Sequence, residues 1–476
     1  MAKHGVFANK QVSQTSAPVV SESGVPFVIG VSPIQAASEP ARVGMPVICE
    51  NFEEAQAKLG YSDNWEAYPL CEFMYSQFML YEAGPVIFCN LLDPATAKES
   101  VAAAGFDVVD HQVLLPIDAI NDTTLVVKAQ GSTGSEATYV KGEDYDVYYS
   151  GDNLVVELIP TGDAYAAENL NVAYSKATPD SITATNVATG LEAIEHCMTT
   201  VGVIPDLICA PGYSQDESVA AVMATKAAGV AGMFHAKAVV DIGASSSGAT
   251  TYSAAISKKE ELELDDENVI LCWPAVSYEG KVYHRSTHLC GVMARTDREN
   301  GNCPYVSPSN QSMVCDGMCL EDGSEVLLTV TQANELNYAG IVTGLNAFLN
   351  WVAWGNYTAC WPGDTKPEDC FIPVARMFDW VGNTLVKTCW KKLDGPITMR
   401  LLESIVDAVN IWFNGLMGSG FIYGGRVEML DEENPTEDIV QGIVRFHVYM
   451  APPSPAQEID FVQTYDASYV ETALAG

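Results

Sequence analysis

Positive charge is what this sequence has least of. Its 476 residues carry 24 Lys plus Arg against 61 Asp plus Glu, a formal net charge of −37, with only 7 histidines. Phosphate backbones repel such a chain, so no nucleic acid is expected among its partners. Charge of either sign is scarce as well. Charged residues make up 18% against 48% apolar, which excludes a disordered chain and leaves ample material for packed interiors. Long apolar runs are missing: no stretch reaches the roughly 18 residues of a bilayer span. The opening "MAKHGVFANKQ" lacks the apolar stretch of a signal peptide, so folding in the cytoplasm without direct membrane insertion is expected. The 13 cysteines are scattered and odd in number, which points to thiols in a reducing compartment. Cys315 and Cys319 are the nearest pair, but no second pair or His doublet completes a zinc set, so no metal site is expected.

The length exceeds one ordinary core, and composition marks the units. Residues 1–23 read as an N-terminal arm and polar linker. Residues 24–105 read as the first part of an α/β core, with "GVPFVIGVS" and "PVIFCNLL" as buried strands around a helix closed by Gly84. Short β-branched and aromatic runs broken by Gly, Asp and Asn make residues 106–180 an all-β insert. In residues 181–345 the apolar runs "PDLICAPGYS", "KAVVDIG" and "NVILCWPAV" alternate with helical segments, the pattern of a parallel sheet covered on both faces. The acidic "KKEELELDDEN" reads as a solvated face. Residues 346–451 read as an α+β unit, two apolar-faced helices followed by a β pair. Residues 452–476 form a C-terminal arm, in which Pro452, Pro453 and Pro455 hinge into a strand-like alternation around Ile459, Phe461 and Tyr465.

The α/β region invites a search for chemistry. "VVDIGASSSG" sets Asp241 at a strand end before a Gly/Ser-rich stretch, where α/β folds usually place function, and resembles the Asp motif of subtilisin-like proteases. The triad does not continue. His288 in "THLCGVMAR" lacks the flanking glycine and threonine, and no serine motif supplies a hydroxyl beside a base. No Walker loop or GxGxxG follows a strand, "GSTGS" reads as a turn in the insert, and HExxH is absent. No catalytic residue, cofactor or metal is expected; the surface is expected to make contacts.

Taken together, "HGVFANK", "GVPFVIGVSPIQAASEPARVGMPVICENFEEAQAKLG", "NVILCWPAV", "STHLCGVMARTDRENGNCPYVSPSN", "ELNYAGIVTGLNAF", "VAWGNYT", "CFIPVARMFDWVGNTL" and "PAQEIDF" resemble, in order, a contractile phage tail sheath protein. The resemblance implies a subtilisin-like α/β core without protease function, a β-sandwich insert and an α+β C-terminal domain. It also implies two arms that join neighbouring subunits. Val6, Phe7, Ala8 and Val12 would carry the N-terminal contact, and Ile459, Phe461, Val462 and Tyr465 the C-terminal one. The implied function is a structural subunit of a virion tail, assembled in the host cytoplasm, that polymerises helically around an inner tube and contracts to drive it through an envelope. The implied partners are further copies of itself, the inner tail tube protein, and the baseplate and tail terminator proteins. Two departures stand out: the family's Trp-Gly-Ala-Arg-Thr reads Trp354-Gly355-Asn356-Tyr357-Thr358, and its paired arginines read Ala375-Arg376.

From the residues themselves, Arg376, Lys387, Lys391, Lys392 and Arg400 form a locally basic run with Asp379 and Asp394 as its acidic members. They are candidates to face an acidic tube, with ordinary helix solvation as the alternative. Two other classes stay open. An α/β hydrolase-like cytoplasmic enzyme predicts a discrete oligomer with turnover, and an array protein predicts flat sheets and an export signal. Phage, prophage, tailocin and other contractile injection systems are not distinguished.

Overall fold

A computed structural model of the chain describes residues 18–130 and 137–474. The uninterrupted apolar runs are strands. Among the described residues they build an eight-stranded sheet whose order from edge to edge is Asn350–Trp354, Ile341–Ala347, Val269–Cys272, Lys237–Asp241, Leu207–Cys209, Pro26–Gly30, Val86–Asn90 and Val47–Cys49. The six inner strands are parallel and each edge strand is antiparallel to its neighbour. Successive side chains point to opposite faces, so each strand feeds two cores. Phe27, Ile29, Ala238 and Val240 enter one, while Val28, Phe88, Val239 and Ile270 enter the other. The first core is completed by residues of the helices Ala184–Gly190, Glu217–Ala228 and Tyr252–Leu262, and the second by Phe52–Leu59, Pro69–Met74 and Arg285–Glu299. Burial on both faces is why these strands read as continuous apolar runs.

The helix expected up to Gly84 begins with Pro69 in its first turn and continues from Tyr75 to Leu80 as a wider, π-type segment. In the insert, Lys98–Asp107, Asn169–Ala177 and Val126–Ala129 form one antiparallel sheet, and Gln112–Pro116, Asn153–Leu158 and Tyr145–Ser150 another. Leu115, Val156 and Val172 lie in the core between them. "GSTGS" lies outside the described residues, as do Val6, Phe7, Ala8 and Val12 of the N-terminal arm.

Toward the C-terminus, the helices Ile372–Cys389 and Met399–Gly418 bury Met377, Trp380, Val409 and Phe413 with Val427 of the antiparallel pair Gly424–Glu428 and His447–Ala451. Thr398 caps the second helix by accepting a hydrogen bond from the Leu401 N–H at 3.2 Å. Three residues of the acidic "KKEELELDDEN" stretch, Lys259, Leu264 and Asn268, depart from the solvated reading. Lys259 is buried and donates to the carbonyls of Ala339 at 2.8 Å and Trp361 at 2.6 Å. All 13 cysteines are unpaired thiols. Among the described residues, no group of His, Cys, Asp or Glu is placed to hold a metal, and no helix is long and apolar enough to cross a membrane.

Candidate functional site

Asp241 ends its strand at the carboxyl edge of the sheet, beside a cavity of about 440 Å³ that Trp65, Glu72, Tyr213, His284 and Glu321 also line. Its geometry decides whether the protease-like motif has partners. The Asp241 carboxylate accepts from the Ser286 N–H at 2.8 Å, the Ser286 hydroxyl at 2.5 Å and the Ser214 hydroxyl at 3.3 Å. Burial pushes its carboxyl above the usual range, opposed by His284 and these bonds. His284 is taken elsewhere: its Nδ1 lies 2.7 Å from Glu72, whose other oxygen accepts the His284 N–H at 2.8 Å. Desolvation works against its charge, but Glu72 prevails and holds the imidazolium up to about 10. Both serine hydroxyls bonded to Asp241, those of Ser286 and Ser214, therefore face a carboxylate and not a free imidazole. An imidazole protonated to that degree is a poor general base at neutral pH. His288, which the sequence offers without the motif of a triad histidine, is a core residue. It contacts the Ser76 hydroxyl at 3.3 Å and the Val314 carbonyl at 3.1 Å, and burial with the nearby Arg285 charge lowers it to about 3.

The basic run divides in two, and burial corrects the expectation that Arg376 faces a tube. Arg376 is buried inside the molecule, bonded to both oxygens of Asp297 at 3.1 and 2.5 Å and to Asp206 at 2.8 Å. Asp206 also accepts the N–H groups of Gly24 and Val25, and Asp297 the Ser23 hydroxyl. One guanidinium thus ties the segment before the first strand, the parallel sheet and the C-terminal helices together. Lys387 is likewise engaged, 2.5 Å from Glu22. Lys391, Lys392 and Arg400 instead line an open groove at the helix-to-helix turn, together with Glu403 and Asp407.

Among the described residues beyond Ala451 no strand forms. Ile459, Phe461, Val462 and Tyr465 lie in chain without regular secondary structure, 71%, 86%, 90% and 82% exposed, before a short helix at Ser468–Leu474. That helix was not foreseen. Its signal was Asp466, whose carboxylate accepts the Ser468 N–H at 2.9 Å.

No family model matches the chain. Over 502 aligned residues it is 25% identical to the tail sheath protein of Burkholderia phage BcepMu, covering 99% of this chain and 98% of that protein. The sheath complex of an extracellular contractile injection system, PVC, in its contracted state superposes with a TM-score of 0.58 at 13% identity, over 98% of this chain and 99% of that one. The contracted helical sheath of the anti-feeding prophage does so at 0.57 and 16%, over 98% and 100%. This chain is a relative of the contractile tail sheath proteins.

In this sheath relative the departures from the family pattern have local uses. Where the pattern has Ala-Arg, Asn356 and Tyr357 grip the root of the tail. The Tyr357 hydroxyl donates to Gln457 Oε1 at 2.8 Å, and Gln457 Nε2 donates to Asn356 Oδ1 at 2.8 Å. The Tyr357 ring stacks between Trp361 and Phe371, with centroids 4.1 and 5.2 Å away. Everything after Gln457 leaves from this fixed point.

Proposed function

We propose that the chain is a structural subunit of a contractile sheath that polymerises helically around an inner tube, docks at a baseplate and terminator, and drives the tube through an envelope on contraction. The observation that carries the reading is the end-to-end match to a tail sheath protein. A subtilisin-like core without protease function, an inserted β-sandwich and a C-terminal sheath domain form its rigid body. The two arms, Val6, Phe7, Ala8 and Val12 at one end and Ile459, Phe461, Val462 and Tyr465 at the other, add strands to neighbouring copies. Such a head-to-tail contact propagates as a helix and does not close into a dimer. The subunits assemble in a bacterial cytoplasm and end in a virion tail or a related injection device. Contraction slides rigid cores into tighter packing, with the energy stored at assembly.

Negative-stain microscopy of the purified chain is expected to show hollow cylinders that shorten and widen in ATP-free buffer. Discrete oligomers, flat sheets or a strict nucleotide requirement would each overturn the reading. Lys391, Lys392 and Arg400 are the tube-facing candidates, since they lie together at one open surface. Lys391→Glu with Lys392→Glu should weaken co-assembly with tube protein on the order of tenfold at low salt, the gap closing as salt screens the pairs. Co-assembly at the wild-type level, measured by co-sedimentation, would remove these residues from the tube contact.

A further inference from the structure

The chain that carries −37 has one long interruption in its charge: from Leu336 to Gly363 there is no Asp, Glu, Lys or Arg. Within it the strands Ile341–Ala347 and Asn350–Trp354 form a hairpin, closed by a two-residue loop of Phe348 and Leu349. Both loop residues have positive φ, 53° and 66°, as the favoured hairpin turn requires. Asn and Gly occupy such positions at little cost, whereas bulky side chains there are strained. Both side chains are also fully exposed, 104% and 95%. A turn that is strained and apolar, where a relaxed polar one would close the same hairpin, has a use that this chain alone does not satisfy.

We infer that this tip is a knob for a second copy of the chain, and that it seats in the apolar groove of about 540 Å³ lined by Ile256, Thr331, Asn334, Glu335, Tyr338 and Ala339. The inference rests on the sheath-subunit reading above. Identical copies of strongly negative charge repel, so their contacts are favoured where acid is absent. The knob lies within the uncharged stretch, and the groove meets that stretch at Tyr338 and Ala339, with Glu335 the one acid among its lining residues. The knob cannot reach its own groove. Tyr338 sits just before the strand Ile341–Ala347, whose 7 residues carry the tip about 20 Å away at ~3.3 Å per residue. That strand is pinned on one side to Val269–Cys272 and on the other to its hairpin partner. When one copy's knob fills a second copy's groove without the reverse, the contact is heterologous and extends along a helix.

The test uses the full-length chain under the conditions that give hollow cylinders. Phe348→p-benzoylphenylalanine, irradiated after assembly, is expected to link two copies through a peptide containing Tyr338 or Ile256. Links to any other segment, or none in assembled material, overturn the assignment. Phe348→Asn with Leu349→Gly is expected to raise the melting temperature of the unassembled chain while lowering polymer yield at least tenfold, a combination that a merely structural turn would not produce. Polymer yield equal to wild type overturns the inference alone, and a wild-type chain that never polymerises overturns the sheath reading and this inference with it.

Discussion

Replacing Arg376 with alanine destabilises the folded chain by about 3–5 kcal/mol, because the cost is set by the two carboxylates left behind. Asp297 is 1% exposed, and burial already pushes its carboxyl above the usual range with Arg376 opposing. Removing the guanidinium removes the main opposing charge, so the folded-state value climbs further. The folded state then binds a proton that the unfolded chain, with an ordinary Asp near ~3.9, has released. The variant's stability contribution from this group is present below that value and falls as pH rises through the raised one. Urea unfolding should therefore show a smaller deficit at pH 4 to 5 than at pH 7. Arg376→Met combined with Asp297→Asn should recover much of the loss, since no unpaired charge remains at Asp297 and the site keeps its volume. A surface arginine would give less than ~1 kcal/mol and no such pH trend, which is the result that would return Arg376 to the tube-facing group.

That same residue shows where the sequence stops being informative. Arg376 looked like part of a basic surface because its neighbours along the chain include Lys387, Lys391 and Lys392. Its real partners are 170 and 79 residues away, with nothing local to mark them. Only the closing of the sheet brings Asp206 and Asp297 to it. By contrast, "PFVIG", "VIFCN", "KAVVD" and "VILC" are legible as strands because burial on both faces leaves no polar alternation. Asp241 was legible as a strand-end residue, but the linkage around it was not. Which imidazole stands beside it, and that Glu72 captures that imidazole, depends on the helix at Pro69–Met74 meeting the segment before Arg285. The missing triad motif around His288 agrees with its place in the fold: its helix turns it into the apolar core between Tyr81 and Tyr283. In the tail, the alternation of Ile459 and Phe461 was legible, while the state of that segment in one copy was not. A lone strand has no hydrogen-bond partners, and pairing has to come from outside the segment.

Deleting residues 456–476 is expected to abolish sheath polymerisation while costing the unassembled chain only about 1–2 kcal/mol. The tail's large apolar side chains are exposed, and its anchor, Gln457, contributes two part-buried side-chain hydrogen bonds. Little folding energy is lost with it. Assembly should respond in the opposite sense. Seating Phe461 in a neighbour's sheet contributes about 1.5–3 kcal/mol per junction, so Phe461→Asp alone should raise the critical concentration by roughly tenfold or more. Asp460→Asn, at the alternate position, should leave it within about twofold, because strand addition buries one face and leaves the other to solvent. Equal sensitivity at 460 and 461 would argue against strand addition, and truncated chains that still form cylinders would remove the tail from the lattice altogether. The anchor gives a third discriminating readout. Gln457→Ala frees the root but keeps the arm, so polymers should still form, with a longer lag before elongation as the arm searches a larger volume.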